Sequence, residues 1–168
     1  NMVDSYFAKS VIFICEDDKN GTMGIIVNKP ISQMKIISSG IKNKIFEDIL
    51  NESEKIYFGG PVNLNEACIV RKNTGEADDF AEKIELSTDL DLIQKILFSD
   101  KTPKDTKLIF GHASWDRDQL KDEIERGDWL IQNYSDSIFN IPPKNLWKKL
   151  IHMFGLDNYS FIGASGIS

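Results

Sequence analysis

The chain is poor in the residues that carry nucleophilic and metal chemistry. Among its 168 residues are two cysteines and two histidines. Cys15 and Cys68 lie far apart and form no disulfide framework, so a reducing, cytoplasmic setting is the expectation. His112 and His152 stand outside any C-x-x-C or H-E-x-x-H spacing, so no transition-metal site is expected. There is no G-x-S-x-G elbow, no phosphate-binding glycine fingerprint and no EF-hand spacing, and no cofactor is expected. No apolar run approaches the ~18 residues of a spanning helix, and no secretory leader is legible. Acidic residues outnumber basic ones, 26 to 20. A net charge of −6 argues against a general nucleic-acid binder.

What remains is ordinary for a soluble globular protein: 41% hydrophobic and 27% charged residues. The length suits one domain with a sizeable core. No repeat, low-complexity tract or linker interrupts it, so a single domain over residues 1–168 is expected.

Hydrophobic patterning divides the chain into short elements. Ser10 to Glu16 reads as a strand with Val11, Phe13 and Cys15 on one face and Ile12 and Ile14 on the other, both covered. A five-residue loop, Asp17 to Gly21, leads into a return strand from Thr22 to Asn28. Two short helices are expected between Ile31 and Leu50, separated by Ser38-Ser39-Gly40. Further strands are expected at Lys55–Phe58, Glu66–Arg71 and Lys83–Leu86. Ser87 or Thr88 is expected to cap a helix with Leu90, Ile93, Ile96 and Leu97 on its apolar face. Pro142 and Pro143 suit the first turn of a last helix that Gly155 ends, and Tyr159 to Ile162 reads as a final strand.

The stretch from Phe110 to Leu130 organises the rest. Leu108, Ile109 and Phe110 read as a buried strand, and Gly111-His112-Ala113-Ser114 as a tight small-residue turn. Asp116 and Gln119 have capping-box spacing, so a helix is expected to start near 116 and to stop at Gly127. Leu120 and Ile124 share one face, Asp122 and Arg126 form an i,i+4 pair, and Trp115 and Trp129 bracket the helix with rings turned to the core.

This stretch resembles the AlgH/YqgE family of bacterial proteins. Gly111, Ala113, Trp115, Gln119, Leu120, Glu123, Ile124, Trp129 and Leu130 match its signature. Three more segments fit in the same order: Ser10-Val11-Ile12 with Cys15-Glu16, Gly24 with Asn28-Lys29-Pro30, and Phe58-Gly59-Gly60-Pro61-Val62. The resemblance implies a mixed α+β domain with an irregular, partly closed, mostly antiparallel sheet flanked by helices. It implies little about activity, although some members carry a transcriptional-regulator label. Members usually open with an apolar strand before the Asp-x-x-Phe segment, which this sequence is expected to lack. Asp17 stands where a His is usual, and His112 and Ser114 replace a Tyr and a Gly.

Several positions are candidates for function. Cys15 would act as a redox or nucleophilic thiol if a cation lowered its pKa, but Glu16, Asp17 and Asp18 work the other way. Packing as a small apolar residue is the ordinary fate of a free cysteine, and Cys68 is read the same way. Gly59-Gly60-Pro61 forms either an anion-binding nest or a strand-ending turn. Together with Gly111 to Ser114 it is expected to frame a pocket. His112 and Ser114 lie two apart without the orienting carboxylate of a catalytic triad. Lys29, Lys35, Lys42, Lys44 and the cluster Lys144, Lys148 and Lys149 would hold phosphate if they met in space. The reading these residues favour is a non-enzymatic module that binds a protein or a small ligand. Its candidate surface is Gly59, Gly60, Gly111, His112, Ser114, Trp115 and Gln119. The alternatives are a thiol sensor or enzyme at Cys15 and a weak nucleic-acid-binding regulator.

Overall fold

In the computed structural model of the chain, which describes residues 6–31, 56–72, 84–97, 105–133 and 137–155, strands dominate. The elements are β1 (Ile12–Asp18), β2 (Gly21–Ile26), β3 (Ile56–Phe58), β4 (Val62–Lys72), β5 (Ile84–Ser87), α1 (Leu90–Leu97), β6 (Thr106–Trp115), α2 (Gln119–Glu125), α3 (Ser137–Asn140) and α4 (Pro143–Met153). The paired helices expected within 32–50 and the strand expected at 159–162 lie outside the described residues.

The sheet runs β1-β2-β6-β4-β5, with β3 added alongside β6. Its pairings are antiparallel except the parallel β3–β6 pair. β6 belongs to both halves of the sheet. Leu108, Ile109 and Phe110 pair with β3, residues from Thr106 to His112 with β4, and Ala113, Ser114 and Trp115 with β2. This curled, mostly antiparallel sheet with helices packed on it is the mixed α+β class that the resemblance implied.

Each face of the sheet carries its own core, because alternate residues of a strand point to opposite sides. One face gathers Ile26, Phe58, Ile69, Leu108 and Phe110 under Ile93 and Ile96 of α1. The other gathers Ile25, Val27, Val70 and Ile109 under Ile138 of α3 and Leu146 of α4. The alternation read in β1 holds, with Ile12 packed on the first core and Val11, Phe13 and Cys15 on the second. Ile14, expected to be covered, is 40% exposed.

The small-residue segment at 111–114 is not a turn. Gly111 takes φ +73 and bends β6 without ending it, and pairing continues on both edges, His112 to Val62 and Ala113 to Gly24. Ladder partners on two sides outweigh the turn propensity of small residues. The first hairpin is tighter than expected. Its ladder runs on to Asp18–Gly21 and leaves Lys19 and Asn20 as the turn. The Asp18 carboxylate accepts the backbone N–H of Asn20 at 2.7 Å.

The helix starts also differ from expectation. α1 is capped by Asp89, whose Oδ1 accepts the N–H groups of Asp91 and Leu92 at 2.9 and 3.0 Å. A carboxylate also suits the positive end of the helix dipole. Leu92 takes the inner position assigned to Leu90, which is exposed. At α2, Gln119 reaches back to the N–H of Asp116 at 3.0 Å, as capping-box spacing predicts. The chain nevertheless enters the helix through Asp118 at φ 65, with no side-chain cap. Arg126 pairs with Asp128 at 3.1 Å instead of Asp122. Gly127 and Gly155 end their helices in the left-handed region, as expected.

Candidate functional site

The candidate surface is built at the C-terminal end of β6, where the strand passes into α2. Strand alternation buries Ala113 and Trp115 and exposes Ser114. One turn into α2, Glu123 points inward and is 3% exposed. Its carboxylate is fully engaged. Oε2 accepts the indole N–H of Trp115 at 2.9 Å and of Trp129 at 2.7 Å, and Oε1 accepts the Gln119 amide at 2.9 Å. The rings of Trp115 and Trp129 meet edge to face at 6.1 Å, and Phe7 meets Trp129 in the same way at 5.9 Å. The backbone N–H of Asp128 closes on the Glu123 carbonyl at 2.9 Å.

Three charge-assisted hydrogen bonds offset the burial of a carboxylate that has no cation beside it among the described residues. They also fix both indoles and the helix that carries Glu123. Helical spacing alone places Glu123 beside the apolar Leu120–Ile124 face but gives no reason to bury it. The signal that pointed to it was its presence in the family signature between two tryptophans.

The two glycine segments meet, as expected, but backbone to backbone. Gly59 donates its N–H to the Phe110 carbonyl at 2.7 Å, and its own carbonyl accepts the N–H of Ile26 at 2.8 Å. A Cβ on Gly59 would overlap the Gly111 carbonyl, and one on Gly60, at φ +152, would overlap the His112 carbonyl. The glycines therefore allow two strands to close a seam, where the sequence suggested a pocket. His112 and Ser114 do lie on the same side of β6. Among the described residues they form no hydrogen bond to one another.

Asn28, from the Asn-Lys-Pro motif, is a clamp. Its Oδ1 accepts the N–H of Val11 at 2.8 Å, and its Nδ2 donates to the Lys9 carbonyl at 2.9 Å. Lys29 donates to the Tyr6 carbonyl, and burial pushes its pKa down to about 8. It is thus tied to the N-terminal turn and is not part of an open basic patch. Lys35, Lys42 and Lys44 lie outside the described residues, and Lys144, Lys148 and Lys149 line the exposed side of α4.

Cys15 sits half-buried at the bulge of β1, its thiol 3.5 Å from the Phe13 carbonyl. Burial first, then Cys68 and Glu16, push its pKa up to about 12, and burial alone pushes Cys68 to about 11. At neutral pH both are thiols, the weakly nucleophilic form. Among the described residues no three His, Cys, Asp or Glu side chains are grouped to hold a metal ion, and no helix is long and apolar enough to cross a membrane.

Comparison with known proteins places this arrangement. The family model described as AlgH-like matches residues 1–159. YqgE of Shigella boydii and YqgE of Escherichia coli are each 32% identical over 171 aligned positions, covering 97% of this chain and 91% of theirs. The solution structure of AlgH from Pseudomonas aeruginosa superposes with a TM-score of 0.63 at 21% identity, covering 92% of this chain and 83% of that one. A crystal structure from Corynebacterium diphtheriae gives a TM-score of 0.61 at 22% identity, over 91% and 82%. The chain therefore belongs to the AlgH-like family.

Proposed function

We propose that this AlgH-like protein is a cytoplasmic binding module that engages a protein partner through the end of the molecule built on Trp115, Glu123 and Trp129. The observation that carries this reading is the pairing of a rigid base with an open apolar edge. Glu123 locks both indoles and α2, and Leu130 and Ile131, directly after Trp129, are 47% and 67% exposed. Adjacent exposed aliphatic side chains on a fixed support are what a partner's apolar pocket can grip without an ordering cost. The neighbouring helix α2 carries an exposed Lys121–Glu125 pair. Recognition here needs no turnover, which agrees with a site whose carboxylate is occupied by three protein donors.

The test uses the full chain as bait in lysate of its own cell, with and without nuclease, beside a Leu130→Asp/Ile131→Asp variant of equal stability. A stoichiometric protein retained by the parent in both conditions and lost by the variant supports the reading. Equal retention by both, retention only without nuclease, or no retained protein overturns it. The thiol and nucleic-acid alternatives gain no support from the site, given the raised thiol pKa values and the tethered Lys29.

A further inference from the structure

The second core contains a buried cation that meets no anion among the described residues. Lys107 lies near the start of β6 and is 6% exposed. It shares its side of the strand with Ile109, faces Val70 across the β4 ladder, and holds Nζ 4.0 Å from the centre of the Tyr57 ring. Among the described residues that ring is its partner; no carboxylate or carbonyl accepts from its nitrogen. A well-packed apolar side chain would suit this position better, because an unpaired buried ammonium costs free energy that a ring face offsets only in part. A group that works against the fold is a pointer to function.

We infer that Lys107 is a covalent amine site for a small neutral aldehyde. The environment selects both the chemistry and the ligand class. Desolvation in an apolar pocket is one way a lysine becomes a nucleophile, because it favours the unprotonated amine. Burial lowers the Lys107 pKa to about 8. Val70 and Ile109, which share this side of the sheet, are apolar, and a neutral carbonyl compound loses little on leaving water for such surroundings. In the reaction the amine lone pair forms a C–N bond to the carbonyl carbon as the C=O π pair moves to oxygen. One N–H proton passes to that oxygen, giving a carbinolamine. The hydroxyl then leaves with the second N–H proton as water, and C=N remains. Nothing is oxidised or reduced.

The test treats the intact folded chain with acetaldehyde at pH 7.5, fixes any imine with cyanoborohydride, and maps ethylated lysines by mass spectrometry against time. Exposed Lys121, Lys144, Lys148 and Lys149 serve as internal controls. With a pKa of about 8, roughly a quarter of Lys107 is unprotonated at that pH, against about 0.1% of an ordinary lysine. Allowing for restricted access, Lys107 is expected to react at least about tenfold faster than the controls, and Lys107→Arg to remove that fast phase alone. Ethylation of Lys107 at or below the rate of the exposed lysines overturns the proposal, as does labelling that appears only after denaturation. Because the controls lie in the same molecule, the outcome stands even if a Lys107 variant fails to fold.

Discussion

Glu123 and Lys107 are both charged residues buried at the level of the surrounding apolar core, and the fold treats them in opposite ways. Glu123 lies where β6 meets α2 and receives three hydrogen bonds from two indoles and an amide. Lys107 lies at the other end of the same strand and has the face of one tyrosine. The difference separates a charge that builds structure from one that the structure merely tolerates. Burial alone does not distinguish them; the set of partners does.

The largest expected effect falls on the satisfied charge. Glu123→Leu strands two indole donors and an amide without their acceptor and is expected to cost about 3 kcal/mol, read as a lower urea midpoint with altered tryptophan emission. An unchanged midpoint would erase the contrast, since Glu123 would then be no better integrated than Lys107. The unsatisfied charge should respond with the opposite sign. Lys107→Met is expected to raise stability at pH 7 by about 2 kcal/mol by removing a buried ammonium. A loss of stability instead would show that the Tyr57 contact is a structural partnership.

A pH scan sharpens this second case. The folded-state pKa of Lys107 is about 8 against a reference of 10.5, so between these values the unfolded chain binds more protons. Stability should therefore rise as pH climbs from about 8 to 10.5, by at most about 3 kcal/mol for this group. Lys29, also lowered to about 8, adds its own slope over the same range, so Lys107→Met should flatten the curve without levelling it. A parent protein whose stability is flat across this range would contradict the burial argument.

Smaller effects probe each side in turn. Trp129→Phe keeps the ring contact but withdraws one of the two donors on Glu123 Oε2, for an expected loss of about 1 kcal/mol by thermal unfolding. Cys15, on the same face as Lys107, is held in its neutral form by burial, and a neutral thiol is weakly nucleophilic. Iodoacetamide at pH 8 should thus label native Cys15 at least about a hundredfold more slowly than the unfolded chain. Fast native labelling would restore the thiol reading.

Much of the strand pattern was legible in the sequence. Alternation in β1 placed Val11, Phe13 and Cys15 on one face and Ile12 on the other, with exposed Ile14 the exception, and the glycines at 127 and 155 marked two helix ends. What went wrong did so for local reasons. Gly111 to Ser114 has turn composition, yet Val62 and Gly24 pair with it from opposite edges and keep it extended. Ser87 and Thr88 are good caps, but Asp89 is one residue closer to the helix and reaches two free N–H groups. For the site, Trp115, Gln119 and Glu123 all stand in the family signature, but nothing in helical spacing tells that the Glu123 carboxylate turns inward, since a carboxylate in a charged helix ordinarily faces water. Lys107 was unnoticed, since one lysine beside an apolar triplet has no periodic signature.

Sequence by itself pointed to the family through its matched motifs, to the α+β class through what that resemblance implies, and to most of the strands through side-chain periodicity, which travels with the chain. Tertiary structure alone decided which charges are satisfied. The donors that meet Glu123 come from positions 115, 119 and 129, and the ring above Lys107 comes from Tyr57, fifty residues earlier. Hydrogen bonds and ring contacts act over a few ångströms. Whether a buried charge has a partner therefore depends on which strands the curled sheet brings side by side.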